Sequence, residues 1–347
     1  MRRTHSLLGS PAAAPLWPLL GIVLLVLVNA GFDAFRAGGP GLFGDGAFLH
    51  FSWREGVPGG ALVDVLERGA PIAIVALGMA LVIATRGVDL SVGSIMAIAG
   101  ATAAWAVSHG LSSWAAVGAA LGAGALCGLW NGVLVAWLGL QPFVATLILM
   151  VAGRGIAQMI TGSQITTFHD PVVEYVGLGH PAWLPLPFPF LLACLMLALT
   201  ACCVRVSALG LLIEAVGGNP EAARLAGVRS RALVAGTYVF SGVCAAVAGL
   251  IAAANIKAAD PFHAGQNMEL AAIFAVVVGG TRLTGGRFSL LGAFVGGLLM
   301  QCLVTTMYAR NVSTEVAPLP QALVILAVSI AASPKLRAKV KRRRGAA

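Results

Sequence analysis

What most limits the folds open to this chain is a recurring feature. Apolar runs near the length that crosses a bilayer follow one another almost end to end. They cover roughly 16–35, 69–86, 92–109, 112–138, 142–162, 188–204, 232–254, 269–281, 289–307 and 317–332. A helix rises about 1.5 Å per residue, so about 20 apolar residues match a hydrocarbon core of roughly 30 Å. In lipid only helices and closed barrels satisfy every backbone N–H and C=O. Unbroken apolar runs of this length are helical rather than alternating. The expected fold is therefore an all-α membrane protein of about ten transmembrane helices, one transmembrane domain over 1–347. Composition agrees: the chain is 59% hydrophobic and only 10% charged, against about 25% charged in a soluble domain. Its 44 glycines let helices approach closely. The run 269–281 is short, which suggests an irregular end. The first run has an alternative reading as a signal peptide, because Arg2 and Arg3 precede it and Val28-Asn29-Ala30 resembles a cleavage site. At roughly 20 residues it is long for the apolar part of such a peptide.

Charge orients the bundle. With the N-terminus inside and the spans alternating, the inside holds Arg2, Arg3, Arg86, Arg205, Arg224, Arg229, Arg231, Arg282, Arg287 and a seven-residue basic tail. The outside holds Arg36, Arg54, Arg68, Lys257 and Arg310, and Arg154 is embedded. Sixteen basic residues inside against five outside fit the positive-inside rule. Both termini are then cytoplasmic. The net charge of +9 does not point to nucleic acid. It is concentrated in Lys335, Arg337, Lys339, Lys341, Arg342, Arg343 and Arg344, directly after an apolar run. Such a tail faces anionic lipid, and no second basic cluster extends it into a nucleic-acid surface. Cys127, Cys194, Cys202, Cys203, Cys244 and Cys302 all sit in or beside apolar runs, without metal-ligand spacing, and read as small buried residues.

Between spans six and seven lies Glu214-Ala215-Val216-Gly217-Gly218-Asn219-Pro220-Glu221-Ala222-Ala223-Arg224-Leu225-Ala226-Gly227. Asn219 suits an N-cap, Pro220 the first helical position, Glu221 the positive helix end and Gly227 the stop. This predicts a short helix in a cytoplasmic loop. It is too short to be stable alone, so it either docks onto a partner or merely links two spans. A second motif is Gly87-Val88-Asp89-Leu90-Ser91-Val92-Gly93. Gly87 would break span two, Asp89 would cap the amides opening span three, and Ser91 would assist. That reads as a capped hairpin, or as a gate or contact. The hairpins 78–100 and 275–297 look loosely alike, as repeats in transporters do.

These segments resemble the membrane subunits of bacterial ABC-type monosaccharide importers, the ribose and galactofuranose permease family. The 214–227 segment looks like the coupling helix of such permeases, and Gly87–Gly93 resembles a family signature. Gln141-Pro142-Phe143-Val144-Ala145-Thr146-Leu147 and Val276-Val277-Val278-Gly279-Gly280 also fit. The galactofuranose branch is the nearer. That likeness rests on Ala84-Thr85, Met96 to Thr102, and Thr146 to Gly155. The resemblance covers roughly 60–330. Two departures stand out: Arg86 precedes Gly87 where glycine or another small residue is usual, and Arg282 sits where a small or polar residue is common. The resemblance implies that Glu214, Asn219, Pro220, Glu221, Ala222, Ala223 and Gly227 couple to a separate ABC ATPase, which holds ATP and magnesium. It also implies a second permease copy, a periplasmic sugar-binding protein and a place in the bacterial inner membrane.

Polar residues inside spans are costly and therefore informative. Asn131, Gln158, Asn255 and Gln301 are candidates for a sugar path, since neutral amides offer both donors and acceptors to hydroxyls. Gln141 is a further intramembrane amide. Arg154 has no acid within one turn and could pair with Glu269 across the bundle. Each could equally be a structural interhelical hydrogen bond. The sequence contains no phosphate-binding Gly-x-x-x-x-Gly-Lys-Ser/Thr, no His-Glu-x-x-His and no Gly-x-Ser-x-Gly. The expectation is a permease without catalytic residues, cofactor or metal of its own, moving galactofuranose, ribose or xylose. The rivals are an ion-coupled secondary transporter, disfavoured by the scarcity of intramembrane acids, and a membrane-embedded enzyme.

Overall fold

A computed structural model describes residues 15–36, 47–54, 57–181 and 184–312, together with 319, 322 and 323. Apart from 319, 322 and 323, the expected tenth span 317–332 lies outside the described residues, as do the basic tail, Arg2 and Arg3. The chain is an all-α membrane protein. Among the described residues, seven helices are long and apolar enough to cross a membrane. They are α1 (Leu16–Arg36), α2 (Ala61–Ala84), α4 (Ser113–Ala136), α5 (Pro142–Thr161), α7 (Phe188–Val206), α10 (Ser230–Ile256) and α12 (Leu290–Ala309). Shorter apolar helices are α3 (Val92–Ser108), α8 (Leu209–Gly218) and α11 (Met268–Val278), and two more, α6 (Pro171–Leu178) and α9 (Pro220–Leu225), lie between spans. Two short hairpins, β1 (Ser52–Arg54) with β2 (Val57–Gly59) and β3 (Thr166–Thr167) with β4 (Ala258–Ala259), pair antiparallel.

Helix α2 is the hub. It packs against α7, α10, α11 and α12, and 83% of its most apolar window is buried. It begins at Ala61, eight residues before the apolar run suggests. Hydropathy marks where lipid ends, whereas backbone hydrogen bonding marks where a helix ends. Asp64, Glu67 and Arg68 therefore sit on the first turns of α2, not in a loop.

Helices α4 and α10 meet backbone to backbone. Gly124, Gly128 and Gly132 recur every fourth residue on one face of α4. A Cβ at Gly128 would lie 2.3 Å from the Tyr238 carbonyl oxygen, and one at Gly124 would lie 2.5 Å from that of Gly242. Without a hydrophobic drive between helices in lipid, such close van der Waals contact is what holds them.

Helix α1 is built into the bundle through α12. Asn29, wholly buried, donates to Thr306 Oγ1 at 2.9 Å. Arg310 binds Asp33 Oδ1 at 2.6 Å and Asn29 Oδ1 at 2.8 Å, with its guanidinium 4.1 Å from the Phe32 ring centre. The residues that suggested a cleavage site thus form an interhelical polar contact.

The ends of the bundle differ. At one end, α6 packs on α10 and α7. Its N-cap Asp170 accepts from the amides of Val172 at 3.0 Å and Val173 at 2.9 Å. Glu174 pairs with Lys257 at 2.8 Å. At the other end the two similar hairpins meet at their breaks, where the Gly286 amide donates to the Ala84 carbonyl at 2.9 Å.

Candidate functional site

The loop between α2 and α3 holds a buried, closely bonded polar network. Asp89 is wholly buried. Its Oδ1 accepts from the Ser91 amide at 3.1 Å and Ser91 Oγ at 2.6 Å, and its Oδ2 accepts from Ser241 Oγ of α10 at 2.8 Å. Asn131 of α4 donates to Ser91 Oγ at 2.8 Å. Thr146 of α5 donates to the Val88 carbonyl at 3.3 Å. Asp89 thus satisfies the amide of the N-cap residue itself, and ties the start of α3 to α4 and α10.

The break in span two is made differently from expectation. Helix α2 ends with Thr85 as C-cap, and Arg86, not Gly87, adopts the left-handed conformation, with φ of 66°. The Gly87 amide bonds the Val82 carbonyl at 3.0 Å and the Arg86 amide that of Ile83 at 2.9 Å. This is a Schellman stop with arginine where glycine is favoured. A left-handed non-glycine costs roughly 1–2 kcal/mol. Gly87 is needed for another reason: a Cβ there would lie 2.4 Å from the Tyr238 hydroxyl.

The Arg86 side chain reaches across 131 positions to α8. Its Nε donates to the Gly217 carbonyl at 2.6 Å, and Nη2 donates to the Gly218 carbonyl. Directly after these carbonyls, Asn219 opens α9. Its Oδ1 accepts from the amides of Glu221 and Ala222, both at 3.1 Å. At the far end Gly227 has φ of 83°, with Gly227 to Arg224 and Val228 to Ala223 hydrogen bonds, both 3.0 Å, making a second Schellman stop. Glu221 and Arg224 pair at 2.7 Å on the open surface, and the Arg224 hydrogen bond holds the Glu221 carboxyl below its ordinary range. Of the helix, Ala223 alone is buried. Leu225 is 78% exposed, so α9 presents a capped but uncovered surface. Glu214 lies half-buried one turn back on α8.

Within the bundle the segment after β4 turns back toward α3. A Cβ at Gly93 would lie 2.3 Å from the Gly265 carbonyl oxygen and 2.9 Å from Glu269 Oε2. In place of the expected Arg154–Glu269 pair, Arg154 Nη1 donates to the Ala264 carbonyl at 2.5 Å. No direct ion pair joins Arg154 and Glu269 among the described residues. Asp260 opens the same segment. Although partial burial opposes ionisation, the His263 and Phe262 amides hold its carboxyl below the ordinary range.

The four candidate path amides are not gathered into one cluster by the contacts of this single chain. Asn131 belongs to the Asp89 network. Gln301 of α12 is buried beside Gly69 of α2 and donates to Thr305 Oγ1 at 3.3 Å. Asn255 lies at the α10 end against Gly177 of α6, and Gln158 is half-buried on α5. Sequence reasoning missed Ser241 and Tyr238, which no local pattern marks, and α6. That last helix had a usable signal: Asp170-Pro171 is the same N-cap and first-turn pairing that revealed Asn219-Pro220. All six cysteines are free.

A family signature described as branched-chain amino acid transport system / permease component matches residues 61–331. The chain is 51% identical to the galactofuranose transporter permease protein YtfT of Escherichia coli, over 81% of this chain and 82% of that one. It is 38% identical to the fructose import permease protein FruF of Bifidobacterium longum, over 94% and 91% of the two chains. It is also 38% identical to the ribose import permease protein RbsC of Escherichia coli, over 76% and 83%. No solved structure matches the chain.

Proposed function

The chain belongs to that permease family, and from this premise we propose that it is the membrane-spanning subunit of an ATP-driven monosaccharide importer. The observation that carries this reading is the 51% identity to a sugar permease over most of both chains. The exposed, doubly capped helix α9 supports a coupling role. Its ends are fixed from within the chain, yet its outer surface is uncovered, as a docking element requires. Glu221, Ala222 and Leu225 face outward for a separate ABC ATPase, which would supply nucleotide and magnesium chemistry. A second permease copy would complete the path, and a periplasmic binding protein would deliver sugar from the opposite end.

The orientation follows from charge. Arg86, Arg205, Arg224, Arg229, Arg231, Arg282 and Arg287 all belong to the end that carries α9, which the positive-inside rule puts in the cytoplasm. Galactofuranose is the first sugar to test, followed by ribose, xylose and fructose. Proteoliposomes holding the complete importer should accumulate one of these labelled sugars only when ATP is supplied to the α9 side. Uptake of branched-chain amino acids without any sugar would refute the substrate class. Sugar uptake driven by an ion gradient without ATP would refute the energy source and favour a secondary transporter.

A further inference from the structure

We infer that Arg86 is the positioning residue that transmits displacement of the docking helix α9 to the hinge between α2 and α3. This deepens the coupling role proposed above and rests on it. Three contacts converge. Arg86 grips the Gly217 and Gly218 carbonyls, the last two of α8, immediately before the Asn219 cap of α9. Gly217 also lies against the end of α2 by backbone alone: a Cβ there would be 1.8 Å from the Ala84 carbonyl oxygen and 2.6 Å from the Gly286 amide nitrogen. The same Ala84 oxygen receives the Gly286 amide, so the hairpin 279–290 is held in the joint. Gly217 and Ala84 thus meet backbone to backbone, and the Arg86 stem lies in the same joint, 2.4 Å from where a Cβ of Gly285 would be.

The conformation of Arg86 adds an independent reason. Its left-handed φ would suit glycine better, and such outliers persist where the surroundings hold them and a role retains them. On the other side of Arg86, three residues on, Asp89 is bonded to α10 and, through Ser91, to α4. A push on α9 therefore has a bonded route to α3, α4 and α10. Mere charge at the C-terminal end of α8 would be satisfied by any cation, but gripping two carbonyls at once uses the planar fork of arginine.

Two variants separate these roles. Arg86→Gly suits the left-handed seat and removes only the grip, so the complex should assemble and melt as the parent does. Arg86→Lys keeps the positive charge but not the fork. In the reconstituted importer, Arg86→Gly should hydrolyse ATP at a rate near the parent's, while sugar moved per ATP falls by about fivefold or more. Arg86→Lys should lie between the two. Hydrogen exchange of residues 217–228 reads the tie without regard to the solute. It should quicken by at least about tenfold in Arg86→Gly, since losing one of the two charge-assisted hydrogen bonds is alone worth that much. Parental transport per ATP in Arg86→Gly, parental behaviour of Arg86→Lys, or failure of Arg86→Gly to assemble would each overturn the inference. Unchanged exchange would refute the tie itself. A parental complex with no ATP-driven sugar uptake would instead sink the transport reading, leaving exchange to judge the tie.

Discussion

Replacing Asp89 by asparagine and by alanine tests whether the α2–α3 joint is held by hydrogen-bond count or by charge. The carboxylate accepts three bonds, two on Oδ1 from Ser91 and one on Oδ2 from Ser241. An asparagine can keep both Oδ1 bonds through its carbonyl. Its amide replaces Oδ2, and the Ser241 hydroxyl can turn to accept from it while donating to a carbonyl one turn back on α10. The expected cost of Asp89→Asn is about 1 kcal/mol or less, one exchanged hydrogen bond. Alanine leaves the Ser91 amide and hydroxyl and the Ser241 hydroxyl without an acceptor in a wholly buried place. At roughly 1–3 kcal/mol for each stranded group, the loss reaches about 3 kcal/mol at the low end, a large share of a typical 5–15 kcal/mol stability. Melting of the detergent-solubilised protein, followed by tryptophan fluorescence, should show Asp89→Asn near the parent. Asp89→Ala should melt lower by about 10 °C, if each kcal/mol moves the midpoint by roughly 3 °C. Asparagine as damaging as alanine would show that charge, not acceptor count, holds the joint. Alanine melting with the parent would show that the network carries no load.

Other substitutions probe the remaining contacts. Asn219→Ala should remove the N-cap of α9 at a cost of about 1 kcal/mol, seen as faster hydrogen exchange over 219–226 with the transmembrane helices unchanged. Glu221→Lys breaks only a solvent-exposed ion pair, a kind that adds little to stability, so the permease should stay folded while its association with the ATPase weakens several-fold in a pull-down titration. Normal sugar-stimulated ATP hydrolysis by that variant would count against docking at α9. Arg310→Ala should loosen α1 from α12 by about 2 kcal/mol, since it deletes charged hydrogen bonds to Asn29 and Asp33; protection of α1 from exchange is the measure. The Glu174–Lys257 link has a pH signature: the Lys257 hydrogen bond, against slight desolvation, holds the Glu174 carboxyl below its ordinary range. A depressed folded pKa means that its stabilisation is complete above the unfolded glutamate pKa of about 4.3 and is lost as pH falls through the lower, folded value. Glu174→Gln should therefore differ from the parent at pH 7 and converge with it near pH 3.

What the sequence alone determined was set by neighbours along the chain. Apolar runs had to be helices because lipid offers backbone groups no other partner, and hydropathy located the helices without fixing where α2 starts. The caps of α9 were legible because Asn219, Pro220 and Gly227 act on amides and carbonyls within a few positions. The same rule reads Asp170-Pro171 as the start of α6. What only the tertiary structure decided was the choice of distant partners. Asp89 could cap a helix by local chemistry, but that its second oxygen takes Ser241, 152 positions away, depends on how α10 packs. Arg154 had Glu269 as a plausible mate, yet the turn after β4 brings the Ala264 carbonyl closer. Arg86 looked like a misfit beside a glycine. The packing of Gly217 on Ala84 makes it a fork over two carbonyls. A polar side chain in a bundle must find a partner, and its own sequence states that need. Which partner arrives is fixed only when the small residues of facing helices set how closely, and at what height, those helices meet.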